Sequence, residues 1–353
     1  MKTILLRQAM KYLPILALTT ITIPMCSLAA APMQQPTMTL KVGQISNSIA
    51  FFPIFVAKQQ GYFAQHGLHV GDIPLLGTGA KLAAALESGS IDVAGGNGTD
   101  PLNLYRVDKS TQMIAQLINT YYVDIVTGPS FSGPPVSASL DTRIRSLKGK
   151  KIGITGPGSG TQALVDFLLR RVKLNGRTDV TLVSLGSNMT GALGALETKR
   201  VDALSFPQPV GEQAEASKIG SIYISPARGD IPELKHVVHG VVFTTGKQMR
   251  TKGAEIKAFV SGIADAERFI HTARDSQVEQ LFHQYRPTMS DATISRLLPT
   301  LRSEVPENPA IGEVEFNGEV KFNLVSGLIP SAPSYSEMVP SKFIEAAIQG
   351  GSK

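Results

Sequence analysis

The chain has 353 residues, with 34 Lys and Arg against 28 Asp and Glu, one cysteine and no tryptophan. A single cysteine, Cys26, excludes an intrachain disulfide framework and cysteine-clustered zinc sites. A formal charge of +6 without a clustered basic stripe gives no sign of nucleic-acid binding.

The N-terminus reads as a secretory leader. Lys2, Arg7 and Lys11 make a basic segment with no acid before Asp72, an apolar run from Leu13 to Leu28 is broken by Pro14 and Pro24, and Ala29-Ala30-Ala31 supplies a small-residue cleavage site. Residues 1–31 are therefore predicted to be a signal peptide and the mature chain to be periplasmic. The run is too short and interrupted for a spanning helix, which needs ~20 apolar residues. A lipid tether at Cys26 is disfavoured by Pro24-Met25, where small residues are expected. Cleavage removes Cys26, takes the net charge from +6 to +3, and leaves enough chain for two lobes.

The elements follow in order. Thr39–Ile45 alternates as a strand, Pro53 opens a helix reaching about Gln60, and a second strand starts near Leu68. Gly79–Glu87 is predicted helical, Ile91–Gly95 a strand, and Pro101–Tyr105 the start of a helix. Met113–Leu117 and Val123–Thr127 read as strands, and Pro129–Asp141 as a Pro/Ser/Gly-rich loop. A second unit spans Leu147 to about Ser225, and the β-branched run Val237–Thr244 returns to the first. The rest is helical. In Ala254–Thr272, Ile256, Phe259, Val260, Ile263 and Ile270 keep one face, as do Val278, Leu281, Phe282 and Tyr285 in the next segment. Ser290 is placed to cap a further helix, and Phe343–Ile348 to form a terminal one. These helices have no counterpart in the second unit and are assigned to the outside of the first.

An internal repeat organises this pattern. ALESGSIDVAG at Ala85–Gly95 is echoed by ALETKRVDALS at Ala195–Ser205, and LKVG at Leu40–Gly43 by KKIG at Lys150–Gly153, both at a shift of 110. Leu76–Thr78 answers Leu185–Ser187 at 109. Two matched β-α-β-α-β units imply two lobes with a cleft between them. Lobe one is expected to comprise residues 38–127 and 240–353, lobe two residues 128–239, with crossings at Thr127–Pro135 and His236–Thr244 acting as a hinge.

The segments AKQQGYFAQHGLHV (Ala57–Val70), ALESGSIDVAG, RSLKGKKIGI (Arg145–Ile154), GSGTQALVDFLL (Gly158–Leu169) and ALETKRVDA carry a resemblance across nearly the whole mature chain. In this order they resemble substrate-binding proteins of ABC importers, of the nitrate/sulfonate/taurine group, with a fold shared by thiamine-precursor synthases. The resemblance implies an α/β, two-lobed type II periplasmic binding protein, each lobe a mixed sheet flanked by helices. It implies a monomeric receptor that closes on a small solute and hands it to an inner-membrane ABC permease with its ATPase, without a cofactor. One departure is DALSFPQPV: Gln208 stands where family members for aminosulfonates carry an acid, and Pro207 where they carry an aromatic. A neutral amide cannot pair with an ammonium, which counts against taurine-like zwitterions.

The residues themselves place the site at loops following strand ends, where open α/β sheets bind ligands. Those loops are Ser46-Asn47-Ser48, Gly77-Thr78-Gly79, Asn97 to Thr99, Ser159-Gly160-Thr161 and Asn188, with Tyr121 and Gln208 added. Helix starts bind anions through backbone N–H groups worth about 0.3–1 kcal/mol, so a sulfonate, sulfate ester, carboxylate or other polar head is expected there. Any aromatic wall must come from Phe51, Phe52, Tyr121, Tyr122 or Phe206, with Phe51 and Phe52 better suited to the core. TGPGSGT at Thr155–Thr161 follows a strand and opens a helix but lacks the Lys of a phosphate loop. No HExxH or G-x-S-x-G is present, so neither catalytic nor metal-binding residues are assigned. The competing readings are an enzyme like the thiamine-pyrimidine synthases, whose cysteine-rich segment is missing here, and a sensor feeding a signalling partner.

Overall fold

Pro53 sits in the first turn of the first long helix, where its missing N–H costs nothing. The structure, a computed structural model, describes residues 38–350; the predicted leader, its cleavage point and Cys26 lie outside the described residues. The chain opens with β1 (Met38–Leu40), β2 (Val42–Gln44), α1 (Phe52–Gln59), α2 (Tyr62–Gln65) and β3 (Leu68–Val70). Next come α3 (Gly79–Ser88), β4 (Val93–Asn97), α4 (Thr99–Tyr105), β5 (Gln112–Thr120) and β6 (Val123–Thr127). The second unit contains α5 (Leu140–Arg145), β7 (Lys151–Ile154), α6 (Gly160–Arg171), β8 (Thr181–Ser184) and α7 (Met189–Glu197). It continues through β9 (Ala203–Pro207), α8 (Val210–Ala216) and β10 (Ser221–Ile224). After β11 (Lys235–Thr244) come α9 (Gly246–Thr251), α10 (Gly253–Thr272), α11 (Asp275–Tyr285) and α12 (Asp291–Glu304). The chain ends through α13 (Glu313–Ser326), α14 (Tyr335–Met338) and α15 (Ser341–Gly350). None of these helices is long and apolar enough to cross a membrane.

Two mixed sheets result, with strand orders β2-β4-β11-β5 and β10-β6-β9-β7-β8, beside a small parallel pair β1-β3. The repeat survives down to single hydrogen bonds. Val42 pairs with Val93 and Gly43 with Ala94 in the first sheet; 110 residues on, Ile152 pairs with Ala203 and Gly153 with Leu204. Lys41 N donates to Asp92 Oδ2 at 2.8 Å, and Lys151 N to Asp202 Oδ2 at 2.7 Å. The Ile/Val-Asp echo in the sequence is thus one acid, used twice, tying the start of a strand to its parallel neighbour.

The lobe boundary differs from expectation. β6, expected at the end of lobe one, lies between β10 and β9 in the five-stranded sheet. All five of its residues are buried, so both of its faces are covered. The outward crossing therefore falls at Tyr121-Tyr122, between β5 and β6, rather than after Thr127. β11 runs wholly in the four-stranded sheet, its Lys235 already opposite Thr120. The return crossing accordingly precedes Lys235.

A large core lies on the four-stranded sheet under α1, α10, α11 and α12; Ile256, Phe259, Val260, Ile263 and Ile270 are all fully buried in it. Phe51 and Phe52 belong to this core, as anticipated. Separate clusters cover the five-stranded sheet, one under α6 and the other under α7 and α8. Ser290 caps α12 by accepting from Thr293 N at 3.3 Å. Helix α13 departs from the expected arrangement. Its Phe322 sits in the second core, 4.6 Å from the Tyr121 ring and 5.2 Å from that of Phe167, so α13 joins the two sheets rather than lying outside one.

Candidate functional site

The parallel strands of both sheets point their carboxyl ends at a common cleft. A small inner cavity of about 20 Å³, the room of a single water, is lined by Ser46, Gly77 and Asn97 from one side and Thr155, Thr161 and Ser187 from the other. Tyr122, Val123 and Pro207 close its floor at the crossing. An outer cavity of about 370 Å³ shares Ile45 and Thr155 with it and is lined by Thr78, Gly79, Asp100, Asn103, Gly158 and Ser159. On the opposite flank, Ser46, Asn47, Ser187, Asn188, Tyr285 and Arg286 border a more open hollow of about 440 Å³. Side chains reach across the cleft on both flanks. Asn103 Nδ2 donates to Gly158 O at 3.3 Å. Arg286 donates to Asn47 Oδ1 at 3.0 Å and to Gln213 Oε1 at 3.5 Å.

Three of the helix starts at this cleft are already capped by side chains. Thr78 Oγ1 accepts from Lys81 N at the head of α3, Ser159 Oγ from Gln162 N at α6, and Asn188 Oδ1 from Gly191 N at α7. Each is an N-cap that fills one of the donor vacancies of its helix. Thr161 is 4% exposed and its Oγ1 is occupied: it accepts from Thr155 N at 2.9 Å and lies 2.9 Å from Thr155 Oγ1 and 2.7 Å from Ser159 Oγ. Ser159 Oγ in turn donates to Gly156 O at 2.6 Å. Gly77, at φ +83°, makes the tight turn that brings its Cα against Ser187.

The other predicted residues divide. Ser46 and Asn97 line the inner cavity, and Asn97 Oδ1 is buried without a hydrogen-bond partner. Ser48 is fully buried; its carbonyl accepts from the Tyr285 hydroxyl at 2.8 Å. Thr99 is fully buried at the start of α4 and borders none of these hollows. Tyr121 turns away from the cavity: its ring stacks on His239 at 3.6 Å and its hydroxyl donates to Gly160 O at 2.5 Å, while Tyr122 takes the place at the floor. Gly160 is there because a Cβ would lie 3.0 Å from the His239 ring. Gln208, on a cis bond to Pro209, is 1% exposed and lines a different pocket of about 220 Å³ with Glu212, Arg228 and Arg296. Phe206 is fully buried in the core.

Sequence reasoning missed Asp100. It is 6% exposed and lines the outer cavity; its Oδ2 accepts from Asn97 N at 2.9 Å. Burial pushes its carboxyl up to about 7, against the pull of the Asn97 amide and with the help of Glu319. Also missed was the buried pair behind the cleft, His239 Nδ1 at 3.1 Å from Glu319 Oε1. Among the described residues no group of three His, Cys, Asp or Glu side chains could hold a metal ion.

The sequence profile of the NMT1-like family matches residues 33–281. The chain belongs to the NMT1-like family. This NMT1-like protein is 22% identical over 334 residues to YtlA of Bacillus subtilis (strain 168), named as a candidate binding protein; the match covers 91% of this chain and 93% of that one. Its structure is similar to the alkanesulfonate-binding protein SsuA of Xanthomonas axonopodis pv. citri, with a TM-score of 0.68 and 17% identity over 87% of this chain and 99% of that one. The periplasmic nitrate-binding protein NrtA of Synechocystis PCC 6803 gives the same TM-score at 14% identity, covering 90% of each chain. The architecture is that of the type II periplasmic binding proteins, and the family bears out the resemblance drawn from the five motifs.

Proposed function

We propose that this NMT1-like protein is the solute receptor of an ABC import system, exported to the periplasm, that closes on a small polar solute and delivers it to a membrane permease and its ATPase. The observation that carries the reading is the cleft itself: two repeat-related sheets aim their strand ends at one cavity, and residues from both line it. The solute rests between Ser46, Asn47, Gly77–Gly79 and Asn97 on one side and Ser159–Thr161 and Asn188 on the other. YtlA, SsuA and NrtA all bear names of binding proteins, which favours binding over chemistry. The cleft hydroxyls point the same way, because Thr155, Ser159 and Thr161 hydrogen-bond to one another and to backbone rather than to a base. Closure uses the crossings at Tyr121-Tyr122 and before Lys235, with the protein acting as a monomer.

A thermal-shift screen of the mature protein against small solutes tests this. A solute that binds only the folded state, at ~100 times its dissociation constant, stabilises it by about 2.7 kcal/mol. Small-angle scattering with that solute should show a smaller radius of gyration. An unchanged radius at saturation refutes closure, and mass spectrometry of the exported product tests cleavage near Ala31.

A further inference from the structure

The cleft wall on the first sheet carries two buried acceptors, Asp100 and Asn97 Oδ1. Asp100 projects from the first turn of α4 into the space between two glycines. A Cβ at Gly79 would lie 2.0 Å from its Oδ1, and one at Gly96 2.6 Å from its Oδ2. Both positions therefore leave room for this carboxyl, which lies against the start of α3, where a ligand anion was expected. Beside it, Asn97, 9% exposed, lines the inner cavity, and its Oδ1 is a second acceptor, buried and unpartnered. Thr78 on the same wall, and Ser159 and Asn188 opposite, each already occupy one helix-start donor. An anionic head group would meet a buried carboxyl and an orphaned carbonyl oxygen, both repulsive to it. The repeat does not require this acid: 110 residues on from Asp100 the second unit has Val210, whereas the structural acid Asp92 is matched by Asp202. Ile45, Ala83, Leu104 and Val107 give the outer cavity an apolar stretch beside its polar residues Thr78, Asn103, Thr155 and Ser159. Arg106 lies in the exposed outer part of the same cavity.

We propose that Asp100, with Asn97 Oδ1, sets the specificity of the cleft for a solute carrying a protonated amine or amidine on a compact apolar body, and selects against sulfonates and carboxylates. This rests on the receptor reading above. The amine N–H groups take Asp100 Oδ1 and Asn97 Oδ1, and the apolar body lies along Ile45, Ala83 and Leu104.

The test is a thermal-shift panel of small amines and amidines matched by skeleton with anions, benzamidine against benzoate and benzylammonium against benzenesulfonate among them. The cationic half should raise the melting temperature and the anionic half should not. Titration calorimetry of the best cation should show at least a tenfold loss of affinity in Asp100→Asn. Asn97→Ala, which keeps the backbone N–H that Asp100 uses, should give a loss in the same direction and serves if Asp100→Asn does not fold. Affinity of the wild type for the cation should also fall from about pH 8 to about pH 6, as a carboxyl with a pKa near 7 takes up its proton beside Asn97 and Glu319, and Asp100→Asn should flatten that dependence. Binding by the anions alone, or cation affinity unmoved in both variants, overturns the proposal while leaving the receptor reading in place. No shift from either half of the panel counts against both.

Discussion

Replacing Thr161 by alanine should cost stability, because its hydroxyl serves the protein's own backbone. Thr161 Oγ1 accepts the Thr155 N–H at 2.9 Å in a site where Thr161 is 4% exposed. Alanine leaves that amide without its acceptor, at about 1–3 kcal/mol. It also deletes a buried methyl, worth about 0.8 kcal/mol. The expected total is about 2–4 kcal/mol. Thr161→Ser keeps the oxygen and loses only the methyl, so its cost should stay near 1 kcal/mol. Urea unfolding of the wild type and both variants, at unchanged m-value, measures the difference. Equal costs for alanine and serine, or a cost below 1 kcal/mol for alanine, would refute the assignment of this hydroxyl to Thr155.

Gly160→Ala should destabilise by about 1–3 kcal/mol, since the new methyl would press on the His239 ring 3.0 Å away; a melting temperature equal to wild type would show that the ring can yield. Stability should rise as pH falls from about 8 to about 5. Burial and the neighbouring Glu212 raise the Asp124 carboxyl to about 8, with Ser225, Arg228 and Gln208 opposing, so the folded state holds a proton that the unfolded chain releases near pH 4. That contribution is complete below the unfolded value and is lost as pH climbs to about 8, at up to about 1.4 kcal/mol per pH unit for one group. Urea midpoints across this range should show a shallower slope in Asp124→Asn. Asp92→Ala and Asp202→Ala should each cost about 1–3 kcal/mol by orphaning the Lys41 and Lys151 amides, and a negligible effect at both in thermal unfolding would contradict their shared role.

The repeat was legible because its residues fix backbone pairing: the shift of 110 that aligns the two Ala-Leu-Glu helices also aligns Val42–Val93 with Ile152–Ala203. Helix α10 was legible from its apolar face. The boundary at β6 was not, since a strand buried on both faces carries no alternation to say which sheet it joins. Helix α13 was missed because it buries Glu319, Asn323 and Ser326 beside Phe316 and Phe322, which blurs the 3.6-residue period. In the cleft, loop composition pointed to Ser46, Gly77, Asn97 and Ser159, which line the cavities. It could not separate a hydroxyl that caps a helix from one free to bind, because both tasks favour the same residue types. Asp100 escaped notice for a related reason: an acid in the first turn of a helix reads as an ordinary favourable charge.

Helix α13 has a mechanical consequence. It holds His239 on β11 through Glu319 while burying Phe322 against Tyr121 and Phe167. Stripping an aromatic side chain of 150–250 Å² from such a site costs about 4–6 kcal/mol at ~25 cal/mol/Å², more than the ~2.7 kcal/mol a solute supplies at a hundred times its dissociation constant. On the proposed closure, the two halves would part like a book about its spine, with α13 as the binding. Displacement would then grow with distance from that line, so the rim contacts Asn103–Gly158 and Arg286–Gln213 would separate early, while the stacked Tyr121 and His239 would barely move.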